Sequence, residues 1–332
     1  MIRLDSAWGT PDEGRPRPAD LRRDRLRNLV RRSALFVPVN VPKFVEKAHA
    51  RGADAIILDL EDSVAPAEKR AARTLVRDAM RVCAKGGADI EVRINKPFAL
   101  AVEDLDACVW PGLDCVHVPK VESAREVAIL DALIAERERG RGMPAGGVQL
   151  SLAVETALGL HNAVEIALAS ARTVAIGLGA EDFTLDIEVE PSPSGQELFY
   201  GKARMIVVAR LAGVQPLGTM ASIADYRNLP AMTAAIRQAR QMGFMGAACI
   251  HPVQVEPLNT HFGPTSNEVG HALAVVGAYE AAEREGRASV GVEGKMVDIP
   301  VVERARRLLA RAAAIEARDA KKRAALPRSG PA

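Results

Sequence analysis

The sequence is poor in aromatic residues and cysteines and contains no long apolar run. Phe, Trp and Tyr make up 4% of its 332 residues, so we expect a core of Ala, Val, Leu and Ile, which suits a buried parallel sheet covered by helices. The four cysteines have no paired spacing, and no run reaches the roughly 18 to 20 apolar residues that span a bilayer. The first 30 residues are polar and Arg-rich, without the apolar segment of a secretion signal. We therefore expect a globular protein of the reducing cytoplasm without a membrane partner.

The sequence also lacks a large net charge, but its charges are unevenly distributed. The formal net charge of +2 combines −2 over residues 1–14, +6 over residues 15–32, −8 over residues 33–300 and +6 over residues 301–332. A nucleic-acid-binding protein is expected to carry basic charge over its folded body, and here the body is acidic. Nucleic acid is therefore not an expected partner.

Common zinc and nucleotide motifs are missing as well. The six histidines form no H-E-x-x-H or H-x-H pair, which argues against catalytic zinc. Residues 177–182 contain two closely spaced glycines but not the third glycine of a dinucleotide-binding loop, so no such loop is expected.

Eight short runs rich in β-branched or small apolar residues recur through the middle of the chain. They are residues 34–38, 55–59, 90–94, 115–119, 150–154, 174–178, 214–217 and 247–250. Helical patterns separate most of them, at residues 66–85, 123–139, 159–171, 195–212 and 229–243. Eight alternating units predict an α/β protein with a (β/α)8 TIM barrel, because a doubly wound sheet usually needs only five or six strands.

The barrel leaves residues over at both ends of the chain. We divide the sequence into a basic N-terminal arm (1–33), the barrel (34–262) and a C-terminal helical extension (263–332). Within the extension, the pattern predicts a helix over about 266–284, an irregular piece over 286–300 and a second, basic helix over about 301–325.

Polar residues follow most of the predicted strands, at the end of a barrel where enzymes place their chemistry. They are Asn40, Asp59, Glu61, Asp62, Arg93, Asn95, Lys120, Glu155, Thr156, Glu181, Asp182, Thr219 and His251. We expect the carboxylates of strands two, five and six to converge on one opening, together with an arginine and a lysine.

Four of these side chains have two possible interpretations each. Glu155 and Asp182 could offer oxygen ligands to one Mg²⁺, or they could cap the following helices or pair with arginine. Arg93 lies in a run that otherwise reads as buried sheet, so it should have an anionic partner, such as Glu61 or Asp62, and could also reach a ligand. His251 is either a site residue or the maker of a structural hydrogen bond.

Several short motifs, taken together and in order, resemble those of a known family. They are FVP at 36–38, ILDLED at 57–62, VRIN at 92–95, VPK at 118–120, VETA at 154–157, GAED at 179–182, IHPVQ at 250–254 and GKMVDIP at 294–300. The chain resembles the citrate lyase β-subunit-like branch of the HpcH/HpaI aldolase superfamily, which includes malyl-CoA, methylmalyl-CoA and citramalyl-CoA lyases. The resemblance implies a (β/α)8 barrel and a homo-oligomer, either a trimer or a dimer of trimers.

The resemblance also implies roles for particular residues. Glu155 and Asp182 would bind Mg²⁺, with Mn²⁺ as a substitute, and Arg93 would contact substrate oxygens at the metal. Asp298 would act as acid/base from a C-terminal segment that reaches a neighbouring subunit. Asn40, Glu61, Asp62, Lys120 and His251 would surround the substrate.

The implied reaction is reversible cleavage of a 3-carboxy-3-hydroxyacyl-CoA, such as malyl-CoA or citramalyl-CoA, into acetyl-CoA or propionyl-CoA and glyoxylate or pyruvate. The CoA phosphates would suit the basic arm or Lys43 and Lys47. Rival hypotheses are a thioesterase, a CoA-free aldolase, a citryl-carrier-protein lyase subunit, and a non-catalytic ligand-binding barrel.

Two departures from the family pattern concern the acyl group. Relatives commonly have Gly where this chain has Val39, and Asp where it has Gly218. We expect Val39 to narrow the opening near the thioester and Gly218 to remove a polar group near the metal.

Overall fold

The computed structural model describes residues 29–192, 194–220 and 226–326. The strands are β1 Ser33–Pro38, β2 Ala55–Asp59, β3 Asp89–Arg93, β4 Cys115–Val118, β5 Gln149–Val154, β6 Thr173–Leu178, β7 Gln215–Leu217, β8 Ala247–Cys249, β9 Val290–Val292 and β10 Lys295–Val297. The helices are α1 Pro42–Ala48, α2 Lys69–Cys83, α3 Phe98–Cys108, α4 Ala124–Gly140, α5 Ala157–His161, α6 Ala163–Leu168, α7 Ala180–Asp186, α8 Gln196–Ala212, α9 Leu229–Met242, α10 Val255–His261, α11 Ser266–Arg284 and α12 Ile299–Ala325.

The first eight strands form one parallel sheet that is nearly closed into a barrel. Its order is β7-β6-β5-β4-β3-β2-β1-β8, so sequential strands are neighbours and the last strand returns to the first. Two backbone hydrogen bonds link the remaining gap, from Gly218 N to Gly246 O (2.9 Å) and from Met245 N to Pro216 O (3.0 Å). This architecture confirms the predicted (β/α)8 barrel.

The strands are recognisable in the sequence as apolar runs because both faces of the sheet are buried, one under the helices and the other inside the barrel. All five residues of β2 are buried, and the main core consists almost entirely of Ala, Val, Leu, Ile and Met side chains. One predicted helix differs from the structure. Residues 159–171 do not form a single helix, because α5 and α6 are separated at Asn162, whose side-chain amide donates to Glu122 O at 2.8 Å.

The C-terminal extension packs as a small layer of its own. Thr265 and Glu268 form a reciprocal capping box at the start of α11. The piece predicted to be irregular, residues 286–300, instead contains an antiparallel hairpin made by β9 and β10, with Gly294 at its turn in a left-handed conformation (φ 75°). The buried apolar residues that join α11, the hairpin and α12 are Ala272, Val275, Tyr279, Val297, Val302 and Ala305.

The second half of α12 lies against the end of the barrel where the strands begin. Arg318 Nη1 contacts Asp89 Oδ1 at 2.7 Å, and Lys322 Nζ contacts Asp54 Oδ1 at 2.6 Å. Arg311 donates to the carbonyl of Met245 at 3.3 Å. Part of the basic charge of α12 therefore forms ion pairs within the same chain. These contacts cover the end of the barrel where the strands begin.

Two arginines of the predicted basic arm belong to the same end of the barrel. Arg31 and Arg32 are 1% and 4% exposed. Arg31 pairs with Asp89 at 3.0 Å, and Arg32 Nε pairs with Asp54 at 2.8 Å. The prediction that the arm contacts CoA phosphates is therefore wrong for these two residues, and residues 1–28 lie outside the described part of the chain. Within that described part, no helix is both long and apolar enough to cross a bilayer.

We expect Asp54→Asn to lower the free energy of unfolding by about 3 kcal/mol, because it removes the buried carboxylate that Arg32 and Lys322 share and leaves them only the partly exposed Asp319. Asp54 is fully buried, and these two cations hold its pKa below the ordinary value although burial acts to raise it. Urea denaturation would measure the loss. Asp78→Asn removes an exposed ion pair with Arg81 and should change stability by less than about 0.5 kcal/mol; equal effects of the two substitutions would contradict this prediction.

Candidate active site

The carboxyl ends of the strands bring a dense group of charged side chains to the open end of the barrel, here called the mouth. Five carboxylates and two cations form it: Asp59, Glu61, Asp62, Glu155 and Asp182 with Arg93 and Lys120. The excess of negative charge favours a further cation at the mouth.

Arg93 is fixed at the mouth by a bidentate ion pair. It ends β3 directly opposite Asp59, the last residue of β2. Its Nε and Nη2 donate to the two Asp59 oxygens at 2.6 and 2.7 Å, and its Nη1 lies 2.8 Å from Glu61 and 3.6 Å from Asp62. The expected pairing with Glu61 is present, and Asp59 is an additional partner. Burial acts to lower the pKa of Arg93, but Asp59 and the neighbouring acids raise it above the ordinary value, so the guanidinium stays charged.

Lys120 lies among four carboxylates. Its Nζ is 2.6 Å from Glu61, 3.2 Å from Asp62, 3.6 Å from Asp182 and 3.9 Å from Glu155. Its backbone has φ 50°, in the left-handed region that non-glycine residues rarely adopt. Such a conformation costs roughly 1 to 3 kcal/mol and is concentrated at functional sites. The surrounding acids, Glu61 first, raise the pKa of the ammonium despite its burial.

Glu155 is the most perturbed carboxyl group of the mouth. It directly follows β5, is 6% exposed, and its Oε2 has no hydrogen-bond partner among the described residues. Burial raises its pKa to about 7, Lys120 opposes the shift, and the charges of Asp182 and Glu61 add to it. Gly179 leaves the space that Glu155 fills, because a Cβ at residue 179 would lie 2.6 Å from Glu155 Cγ.

These donors fit a hard divalent cation. Glu155 and Asp182 both lie near the Lys120 ammonium, at 3.9 and 3.6 Å, and Glu155 Oε2 forms no hydrogen bond with any described residue, so it is available as an oxygen ligand. Over residues 29–192, 194–220 and 226–326 no cluster of three or more His, Cys, Asp or Glu has metal-binding geometry. An ion held here would therefore take its other ligands from water or substrate, which is common for Mg²⁺.

The remaining predicted site residues lie outside this charged group. Asn40 donates to Glu68 at 2.6 Å. His251 accepts a hydrogen bond from Val253 N at 3.2 Å through Nδ1, and its ring stacks on Tyr226 with centroids 4.4 Å apart. These contacts match the structural hydrogen bond that was the alternative interpretation of His251.

Three other predicted residues make no contact with the mouth within the described chain. Lys43 and Lys47 are exposed on α1, and the Lys43 ammonium lies 5.2 Å from the ring of Phe44. Asp298 caps α12, where its Oδ1 accepts from Val301 N at 3.3 Å.

The comparisons with known proteins identify the family of the chain. Residues 32–252 match the family described as HpcH/HpaI aldolase/citrate lyase. The chain belongs to this family. It is 40% identical to the citrate lyase subunit beta of Leuconostoc mesenteroides subsp. cremoris, over 84% of this chain and 92% of the relative. It is 32% identical to the L-malyl-CoA/β-methylmalyl-CoA lyase of Cereibacter sphaeroides, over 86% of this chain and 96% of the relative.

A solved structure shows the same fold. The Mycobacterium tuberculosis protein CitE, crystallised with magnesium, acetoacetate and coenzyme A, superposes with a TM-score of 0.67 at 30% identity, covering 86% of this chain and 99% of that one. The named relatives are lyases, and the chain is a lyase of the HpcH/HpaI aldolase/citrate lyase family.

The two departures from the family pattern have structural causes. Val39 is 2% exposed and belongs to the main core, so the expectation that it narrows the opening is wrong. A Cβ at residue 218 would lie 2.9 Å from the buried ring of Phe244, so a glycine at 218 leaves the space that this ring occupies. Neither residue therefore changes the charged group of the mouth directly.

The sequence alone did not identify two residues that hold Arg93 in place, Asp59 and Phe36. Asp59 was recognised as a residue at a strand end but not as the main partner of Arg93. Phe36, from the neighbouring β1, lies with its ring centroid 4.6 Å from the Arg93 guanidinium carbon. The pairing of Asp59 with Arg93 could have been predicted, because both lie at the ends of neighbouring predicted strands and residues that face each other on adjacent strands can pair.

Above about pH 7, we expect Glu155→Gln to raise the unfolding free energy of the metal-free protein by about 1 to 3 kcal/mol. A carboxyl group whose pKa is raised from 4.5 to about 7 binds its proton more tightly when folded, so stability falls as pH rises through this interval. The glutamine variant should not show this loss of stability, and the unfolding free energies of the two proteins should become equal at pH 4.5 and below. Denaturation in EDTA at several pH values measures it, with exposed Glu165→Gln as control; parallel curves for wild type and Glu155→Gln would contradict the assignment.

Proposed function

We propose that this lyase is Mg²⁺-dependent and reversibly cleaves a carbon–carbon bond of a 3-carboxy-3-hydroxyacyl-CoA such as malyl-CoA or citramalyl-CoA. The products would be acetyl-CoA or propionyl-CoA and glyoxylate or pyruvate. The observation that carries the proposal is the paired acids Glu155 and Asp182 beside Arg93 and Lys120 at the mouth. Relatives named as citrate lyase β subunit and malyl-CoA lyase, and a neighbour crystallised with magnesium and coenzyme A, support it.

The reaction develops negative charge at two places. The substrate hydroxyl oxygen becomes an oxyanion that collapses to the carbonyl group of the 2-oxo acid, and the leaving fragment departs as a thioester enolate. Glu155 and Asp182 would hold Mg²⁺, which supplies, when bound, a positive charge that stabilises the oxyanion. Arg93 adds a cationic donor whose orientation is fixed before substrate arrives, since Asp59 holds two of its nitrogens.

Among the described residues of a single chain, the carboxyl groups of the mouth are already engaged, so none is assigned to the enolate carbon. Glu61 and Asp62 are paired with Lys120, and Asp298 caps a helix elsewhere in the chain. We assign the acid/base role to Asp298 of a second copy in a trimer or dimer of trimers. Two apolar side chains beside Asp298, Met296 and Ile299, are 72% and 62% exposed, which suits a surface covered by another subunit.

The CoA portion would reach the protein from the mouth side. Lys43 and Lys47 lie on α1, the helix that follows β1, and both are exposed. Their ammonium groups would be available to CoA phosphates, as charge-assisted contacts.

The test is direct. Purified protein with Mg²⁺ and malyl-CoA or citramalyl-CoA should release glyoxylate or pyruvate together with the shorter acyl-CoA, and EDTA should abolish the release. The control is Arg51→Gln, an exposed arginine away from the mouth. Release of free CoA without a 2-oxo acid would show a thioesterase instead, and turnover of neither ester would overturn the proposal.

A second candidate is a subunit that acts on a citryl thioester carried by an acyl carrier protein. The 40% identity with a citrate lyase subunit beta favours it. The two candidates share the mouth chemistry and differ in the acyl group and in the thiol that carries it. Comparing citryl-CoA with citryl-loaded carrier protein as substrates decides between them.

A further inference from the structure

A second pocket lies at the end of the barrel opposite the mouth. It has a volume of about 390 Å³ and is lined by Arg77, Met80, Arg81, Trp110, Pro111 and Arg141. The first three belong to the C-terminal half of α2, and the others lie on the segments that lead into β4 and β5. Since helices of the barrel run antiparallel to its strands, all six lie where the strands begin, away from Glu155 and Asp182.

Two guanidinium groups gather around one indole ring in this pocket. The Arg77 and Arg141 guanidinium carbons lie 4.0 and 4.1 Å from the centroid of the Trp110 ring. The ring is itself held by a hydrogen bond from Nε1 to the carbonyl of Asp106 at 3.1 Å. Contacts of this kind orient arginine side chains without neutralising their charge.

The positive charge of the pocket is poorly compensated. Over the described residues Arg77 forms no ion pair with a carboxylate, and Arg81 pairs only with Asp78, where both side chains are more than two thirds exposed. The nearest carboxylate to Arg141 is Asp106 at 3.7 Å. Burial lowers the pKa of Arg141, Asp106 opposes the shift, and the neighbouring cations, Arg77 among them, lower it further.

A purely structural role accounts for one of the three arginines. Arg141 donates to the carbonyls of Val109 and Asp106 at 2.5 and 3.0 Å, so it helps to end α3. Among described residues, neither Arg77 nor Arg81 donates to a backbone carbonyl. Within the described chain, Arg77 is held by its contact with the Trp110 ring and Arg81 by an exposed ion pair with Asp78, so the charge of Arg77 has no anionic partner.

We propose that this pocket binds a phosphate-bearing small anion with at least two negative charges. The planar guanidinium fork matches phosphate oxygens bidentately, and three such groups suit a pyrophosphate-like ligand better than a single carboxylate. The Trp110 ring and Pro111 supply an apolar wall, and the volume lies in the range of small-molecule sites. The site is separate from the mouth, so its ligand would act as an effector or stabiliser of the lyase rather than at the reacting atoms.

Trp110 provides the readout. The chain has two tryptophans, so Trp8→Phe leaves Trp110 as the only one. Titration of that protein with pyrophosphate at constant ionic strength should give a saturable change in fluorescence. Adding Arg77→Gln and Arg81→Gln should weaken binding at least tenfold, or about 1.4 kcal/mol, whereas Arg51→Gln, an exposed arginine at the same end of the barrel, should leave it unchanged.

Other anions test the ligand class. Citrate bound as tightly as pyrophosphate would overturn the preference for phosphate. Saturation by coenzyme A that depends on Arg77 would identify its phosphates as the source, and pyrophosphate binding that coenzyme A does not displace would point to a free phosphate compound. Absence of saturation by pyrophosphate, affinity unchanged in the Arg77→Gln/Arg81→Gln variant, or loss of binding in Arg93→Lys would overturn the proposal. Circular dichroism of each variant controls for folding.

Discussion

Arg93→Lys should lower kcat for carbon–carbon cleavage of the acyl-CoA by about 10² to 10³, the loss typical when one fixed donor to a developing oxyanion is removed. A lysine keeps the positive charge but cannot present two nitrogens to Asp59 while a third faces Glu61. The donor would therefore be neither planar nor fixed. The expected loss appears in kcat more than in KM, because the contact is strongest in the transition state.

The same substitution also disturbs a buried ion pair, so stability must be separated from catalysis. Arg172→Lys is the matched control: Arg172 bonds Glu138 at 2.6 and 2.8 Å and Asp131 at 2.6 Å, and it precedes β6 at the end of the barrel opposite the mouth. Both variants should lower the free energy of unfolding, and Arg172→Lys should keep kcat within about threefold, since no donor near the reacting atoms is lost. A similar drop in kcat for both would mean that Arg93 acts through stability alone.

The barrel could be predicted from sequence because its strands carry a strong local signal. A strand such as Ala55–Asp59 is buried on both sides and therefore reads as a short apolar run that ends in an acid. The ends of consecutive parallel strands must meet at one end of the barrel, so residues such as Glu155 and Lys120 could be brought together without coordinates.

The opposite end could not be predicted, because its partners are distant in sequence. Arg32 and Lys322 converge on Asp54 across 22 and 268 residues, and nothing in a local pattern indicates which acid such a cation meets. The sequence therefore predicts ligand contact for the basic arm, whereas its Arg31 and Arg32 are buried in ion pairs. The left-handed backbone of Lys120 could not be predicted either, because the sequence has no glycine at residue 120 to indicate it.

Asp298→Asn separates two roles of one residue. Asparagine caps a helix about as well as aspartate, so α12 should stay intact. Asparagine cannot transfer a proton as a carboxyl group does, so activity should fall about 10² to 10⁴-fold if Asp298 is the acid/base. Full activity in the variant would leave Asp298 with the capping role alone.

Mixed oligomers then decide which subunit supplies the residue. Glu155→Gln and Asp298→Asn chains, each inactive alone, can be co-expressed with different tags and purified as hybrids. If Asp298 enters a neighbour's mouth, one site in three of a hybrid trimer combines an intact Glu155 with an intact Asp298, so about a third of wild-type activity should return; in a hybrid dimer of trimers the share is about a quarter. If Asp298 serves its own chain, every site carries one defect and no activity returns. Oligomers that hold only one kind of variant chain are the control, because exposed apolar Met296 and Ile299 should let all variants assemble alike.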